Sequence, residues 1–97
     1  INPERYVAQR NIARYEQAIA VGEYEEIDVD YLFDLSDSAL PAVCAFVERH
    51  PEMLTEDIRD EAASRLDYIK DSDSGWQSLN TARLQAQSSL EYLLRAR

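Results

Sequence analysis

Two short phrases in this chain carry residues that can do chemistry at a helical spacing. Asn11-Ile12-Ala13-Arg14 lies near one end and Asn80-Thr81-Ala82-Arg83 near the other. In a helix, residues three apart share one side, so each Asn accompanies its Arg. If the first and last helices pack together, two guanidinium groups and two amides converge. Guanidinium groups are bidentate donors, and such a cluster suits a small anion or a carboxylate. The same four residues have a structural use, in which the Arg groups pair with internal acids such as Asp28, Asp30 or Asp34. The Asn amides then bind loop carbonyls. Buried charges must be paired, and with 19 acids in the chain internal pairing is the easier outcome.

Other candidate chemistry is thin. Cys44 is the single cysteine, set in the apolar run Ala42-Val43-Cys44-Ala45-Phe46-Val47. No internal disulfide can form, and burial as a small hydrophobe is the ordinary fate of such a thiol. His50, the single histidine, follows Cys44 by six positions, about 120° away on a helical wheel, which argues against a nucleophilic dyad. Asp28, Asp30, Asp34 and Asp37 lack the alternate spacing, glycine and closing Glu of a calcium loop, and Asp71-Ser72-Asp73-Ser74-Gly75 lacks the closing Glu. There is no phosphate loop, zinc spacing or dinucleotide fingerprint. The expectation is a non-catalytic chain with no metal and no cofactor.

Composition narrows the partners. The net charge is −9, against ordinary apolar (45%) and charged (30%) fractions, and there are only two Gly and three Pro. That acidity repels phosphate backbones and anionic membrane surfaces, so nucleic acid is excluded as an expected partner. A basic protein or a cation remains compatible. No apolar stretch reaches spanning length, so this segment is not expected to insert into a membrane. Ninety-seven residues suit a single domain.

The elements that must position these residues read as helices. The first is expected from about Pro3 to Val21, with Pro near its first position and Gly22 as its stop. Its apolar face holds Val7, Ala8, Tyr15, Ala18 and Ile19, with Asn11 inside the face and Arg14 at its edge. A polar connector leads to a short helix through Tyr31-Leu32-Phe33, capped by Asp28 or Asp30. The third helix, about 39–50, is apolar on nearly all sides and should be central. Thr55 caps a fourth helix with Ile58, Ala62, Leu66 and Ile69 inward. A last helix, from Trp76 or Gln77, turns Leu79, Ala86, Leu90, Leu93 and Leu94 inward, with Arg83 near the centre of that face. No segment alternates long enough for a sheet. The expected fold is all-α, a compact bundle of four to five helices over residues 1–97.

Asn2-Pro3, Ala8, Asn11-Ile12, Arg14-Tyr15, Asp28, Tyr31-Leu32, Leu35-Ser36, Ala39, Pro41-Ala42, Trp76, Ser78, Asn80, Arg83 and Ala86 together carry a resemblance. The pattern resembles a domain-of-unknown-function family of multi-pass bacterial membrane proteins, in which a soluble region follows the last membrane span. Ser38 departs from that family's usual Asp. The resemblance implies a fragment of a larger membrane protein, associated with the bacterial cell membrane through its parent; the extracytoplasmic side is expected because bacterial soluble domains are expressed separately most often when they lie outside the membrane. It supplies no activity and no ligand.

Aromatic residues complete the reading. Tyr15, Tyr31 and Trp76 fall on or near apolar faces and are expected in the core. Tyr6, Tyr24, Tyr68 and Tyr92 fall off those faces and are candidates for a recognition surface. The expected function is that of a structural or protein-interaction domain, whose partner is its own membrane portion or another protein. The alternative is a small-anion or carboxylate sensor using Asn11, Arg14, Asn80 and Arg83. Sequence fixes no oligomeric state.

Overall fold

The computed structural model describes residues 3–71 and 81–96. Five α-helices make up this structure: α1 (Pro3–Ala20), α2 (Val29–Phe33), α3 (Leu40–Arg49), α4 (Glu56–Asp71) and α5 (Thr81–Ala96). Two 3₁₀ turns, Asp37–Ala39 and Pro51–Met53, flank α3. No strand occurs among the described residues, and the fold is all-α. Trp76, Leu79, Asn80 and most of the expected loop at 71–75 lie outside the described residues.

Local chemistry explains where the helices begin and end. Gly22 closes α1 at φ 76°, a left-handed conformation that only glycine adopts without strain. Around it, Glu23 N donates to Ala18 O (2.9 Å) and Gly22 N to Ile19 O (3.1 Å), the paired bonds of a Schellman motif. Asp28 is the cap of α2, accepting from Tyr31 N at 3.1 Å. Thr55 Oγ1 accepts from Ile58 N (3.2 Å) at the start of α4. Pro41 is accommodated in the first turn of α3, where its missing N–H costs nothing.

The core is built around α3, which buries Leu40, Val43, Cys44, Phe46 and Val47. Against these pack Ala8 and Ile12 of α1, Leu32 and Phe33 of α2, Ile58, Ala62 and Ile69 of α4, and Ala86, Leu90 and Leu93 of α5. Both α1 and α5 pack on α3 and on the first 3₁₀ turn. Those shared supports join the two ends of the bundle.

Two expectations about burial are corrected. Ile12, not Ile19, fills the α1 interface: Ile12 is buried, whereas Ile19 is 39% exposed. The α1 stripe runs Ala8, Ile12, Tyr15, because the main packing partners of α1 are α3 and the first 3₁₀ turn. Tyr31 is also outside the core, at 47% exposure. In the single turn and a half of α2, Val29, Leu32 and Phe33 already occupy the inward positions, which leaves Tyr31 facing outward with Asp30.

Candidate functional site

The strongest polar node centres on the first 3₁₀ turn. Asp37 Oδ1 accepts from Arg65 Nη2 at 2.9 Å, and Arg65 Nη1 donates to Phe33 O at 2.7 Å. Arg83 Nε stands 3.9 Å from Asp37 Oδ2. One carboxylate therefore faces guanidinium groups from α4 and α5, while Arg65 also satisfies the carbonyl at the end of α2. The side chains of Asp37, Arg65 and Arg83 are all less than a third exposed. At the other side of the turn, Ser36 N donates to Glu4 Oε1 at 2.6 Å, tying in the start of α1. The node's chemistry is that of a structural joint.

Of the four predicted polar residues, the three described ones fall into two places. Arg83 belongs to the Asp37 node, and its partner there is not one of the acids anticipated for it. Asn11 and Arg14 instead line a cleft of about 180 Å³ beside the connector, together with Glu25, Glu26, Asp28 and Tyr31. Arg14 is exposed and takes part in no ion pair among the described residues. An anion entering this cleft meets three carboxylates for one guanidinium, an unfavourable balance at close range. Asn80 lies outside the described residues.

A second polar cluster joins α1 to the end of α3. Glu16 accepts from Arg49 Nε (2.9 Å) and Nη2 (3.2 Å) and lies 2.7 Å from His50 Nε2. The bidentate Arg49 bond, with His50 and their charges adding to it, holds the Glu16 carboxyl below its usual range despite some desolvation. Glu52 approaches the other face of the imidazole, 3.7 Å from Nδ1. The ring also packs against Phe46 and Tyr15, with centroids 4.9 and 6.0 Å away. His50 is a joint between α1, α3 and the second 3₁₀ turn.

Two further groups, Cys44 and Glu61, are shifted by their surroundings. Burial pushes the Cys44 thiol up to about 12, with the Glu48 charge adding to the effect; the thiolate needed for nucleophilic attack is suppressed. Glu61 is raised by its hydrogen bond to Asp34, then by desolvation and by repulsion from Asp34 and Asp30, against Arg65. Among the described residues, no group of three or more His, Cys, Asp or Glu side chains is placed to hold a metal ion.

Tyr6, Tyr24, Tyr68 and Tyr92 are all exposed, Tyr24 most of all at 85%. Tyr24 stands on the rim of a groove of about 750 Å³ between the connector, Tyr15 and Met53. Tyr6 is engaged locally, its ring 5.5 Å from the Arg10 guanidinium carbon. The tyrosines are spread over α1, the connector, α4 and α5 and do not form one cluster by sequence position.

Sequence reasoning missed Arg65, Asp37 as its partner, and Glu16. Arg65 left a trace: it follows Ala62 by three and precedes Ile69 by four, at the margin of the inward stripe of α4. Glu16 left none, because its role depends on which helices become neighbours.

The fold and site thus define an acidic all-α bundle with structural polar joints and an acidic groove. Compared with known proteins, the chain matches no family model, no curated protein and no solved structure. Among the described residues, no helix is long and apolar enough to cross a membrane.

Proposed function

We propose that this chain is a non-catalytic domain that works by contact with another protein, as an accessory part of a bacterial membrane protein standing on its extracytoplasmic side. The observation that carries this reading is the display of exposed large side chains, Tyr24, Tyr68, Tyr92 and Leu84, on a bundle whose core is already filled. Exposed Tyr supplies contact area at low entropic cost, and recognition surfaces are enriched in it. Of the polar groups that sequence singled out, Arg83 reaches an internal carboxylate and Asn11 and Arg14 line an acidic cleft, which supports the non-catalytic reading. The membrane context is supported by the family resemblance alone. Proximity labelling from the intact parent protein tests the reading: it predicts a reproducible partner, and a domain with no neighbour beyond background contradicts it.

The alternative of a small-anion sensor has one observation in its favour, the cleft at Asn11 and Arg14. Phosphate and acetate titrations decide it: saturable binding abolished by Arg14→Ala supports a sensor, and no binding removes it.

A further inference from the structure

The groove of about 750 Å³ beside the connector is chemically specific. Its apolar surface is Tyr15, Ile27 and Met53, and its charged lining is Glu25, Glu26 and Asp28. Among the described residues, no Lys, Arg or His lines it. Arg14 lies against the same connector, but in the smaller cleft rather than the groove.

The walls are held in place. Tyr15 packs edge-on against Phe46 at 5.7 Å and against His50 at 6.0 Å, so this ring is fixed to α3. Asp28 is fixed by its cap bond to Tyr31 N. Tyr24 stays at the rim, its hydroxyl donating to Glu26 Oε2 at 3.4 Å.

We infer that this groove is a docking site for a basic segment of a partner protein, taking Lys or Arg side chains. An aliphatic stem lies along Ile27, Met53 and Tyr15, as long cationic side chains do on apolar surface. The cationic head meets Glu25, Glu26 and Asp28 in charge-assisted hydrogen bonds, and Tyr24 offers a ring face at the rim. An acidic or phosphorylated segment is repelled by the same lining. A purely apolar one leaves carboxylates to be desolvated without a partner. The net charge of −9 adds attraction at longer range.

This inference rests on the protein-interaction reading, and two measurements separate their failures. The first titrates the full chain with hexa-arginine and hexa-lysine peptides, with hexaglutamate as control, followed by amide NMR shifts. Shifts should map to 15, 24–28 and 53. Glu25→Gln/Glu26→Gln should weaken binding about tenfold through lost charge-assisted contacts. Asp57→Asn/Asp60→Asn, an equal charge change on the outer face of α4, should weaken it about twofold at most through screened attraction. Equal weakening by the two pairs, or shifts spread over α4, overturns the groove. The second places photo-crosslinkers at Tyr24 and Tyr92 of the parent protein. A crosslink from Tyr24 to a Lys- or Arg-rich segment supports the site. A partner caught from Tyr92 but never from Tyr24 overturns the groove and leaves the interaction reading standing; no crosslink from either overturns both.

Discussion

Asp37 Oδ1 and Arg65 Nη2 meet at 2.9 Å across 28 positions of sequence, and that contact locks the first 3₁₀ turn onto α4. Because α1 and α5 also pack on this turn, four segments meet around one ion pair. Its desolvation is tolerable only because Arg65 spends a second N–H on Phe33 O.

Asp37→Ala should therefore be the most costly polar substitution, at about 2–4 kcal/mol, since it strands guanidinium charge in a half-buried site. Arg65→Ala should cost about 2–3 kcal/mol, as a charged partner of two acceptors. Arg83→Ala should cost about 1 kcal/mol at its longer separation from Asp37, and Arg14→Ala should stay within about 0.5 kcal/mol. Urea denaturation of the four variants gives the order; a near-zero cost at Arg65 would remove the joint.

Gly22→Ala should cost about 1–2 kcal/mol, the penalty of an L side chain in left-handed backbone. A Cβ there meets nothing within 4 Å, so the cost is conformational and not steric. Gly22→Asn should recover part of it, since Asn tolerates this region. Equal stability of the Ala and Gly proteins would show that α1 ends differently.

Much of this was legible along the chain, and the gaps have physical reasons. Gly22, Asp28 and Thr55 mark helix ends through bonds to near neighbours and Pro3 through its fixed φ, so their roles can be read locally. The apolar run Val43 to Val47 announces a central helix because it leaves almost no polar side for water. Arg83 and Arg14 look alike in their phrases, yet one reaches Asp37 and the other lines a cleft, because tertiary neighbours decide which acid each finds. Ile19 and Tyr31 carry apolar surface that the wheel turns inward, but the elements beside them supply no partner there. The groove at Tyr24 joins a connector to a turn from a distant part of the sequence, and no spacing rule encodes that.

Acid should act on two carboxyls with opposite sign. Glu16 is lowered in the fold, so its contribution is present above the ordinary value of 4.5 and is lost as pH falls through the folded value below that. Glu61 is raised in the fold, so its contribution is present below 4.5 and is lost as pH rises through the folded value above that. Stability should therefore rise slightly on mild acidification and fall at lower pH. Glu61→Gln should flatten the first limb, and Glu16→Gln the second. An unchanged profile in both variants would contradict these assignments.

Cys44 should resist alkylation in the native state. With burial holding its thiol near about 12, iodoacetamide at pH 8 should modify it only through opening of the fold, and rapidly in 6 M guanidinium on the order of model thiols. Fast native labelling would show that the α3–α5 contact over Cys44 opens readily.

The most direct test of the division between structural joint and binding groove measures stability and peptide affinity on the same two proteins. Glu25→Gln/Glu26→Gln should keep the wild-type melting temperature and lose hexa-arginine affinity, while Asp37→Ala should lower the melting temperature and, below it, bind the peptide as wild type does. A groove variant that melts early yet binds normally, or an Asp37 variant that stays stable and stops binding, would contradict it.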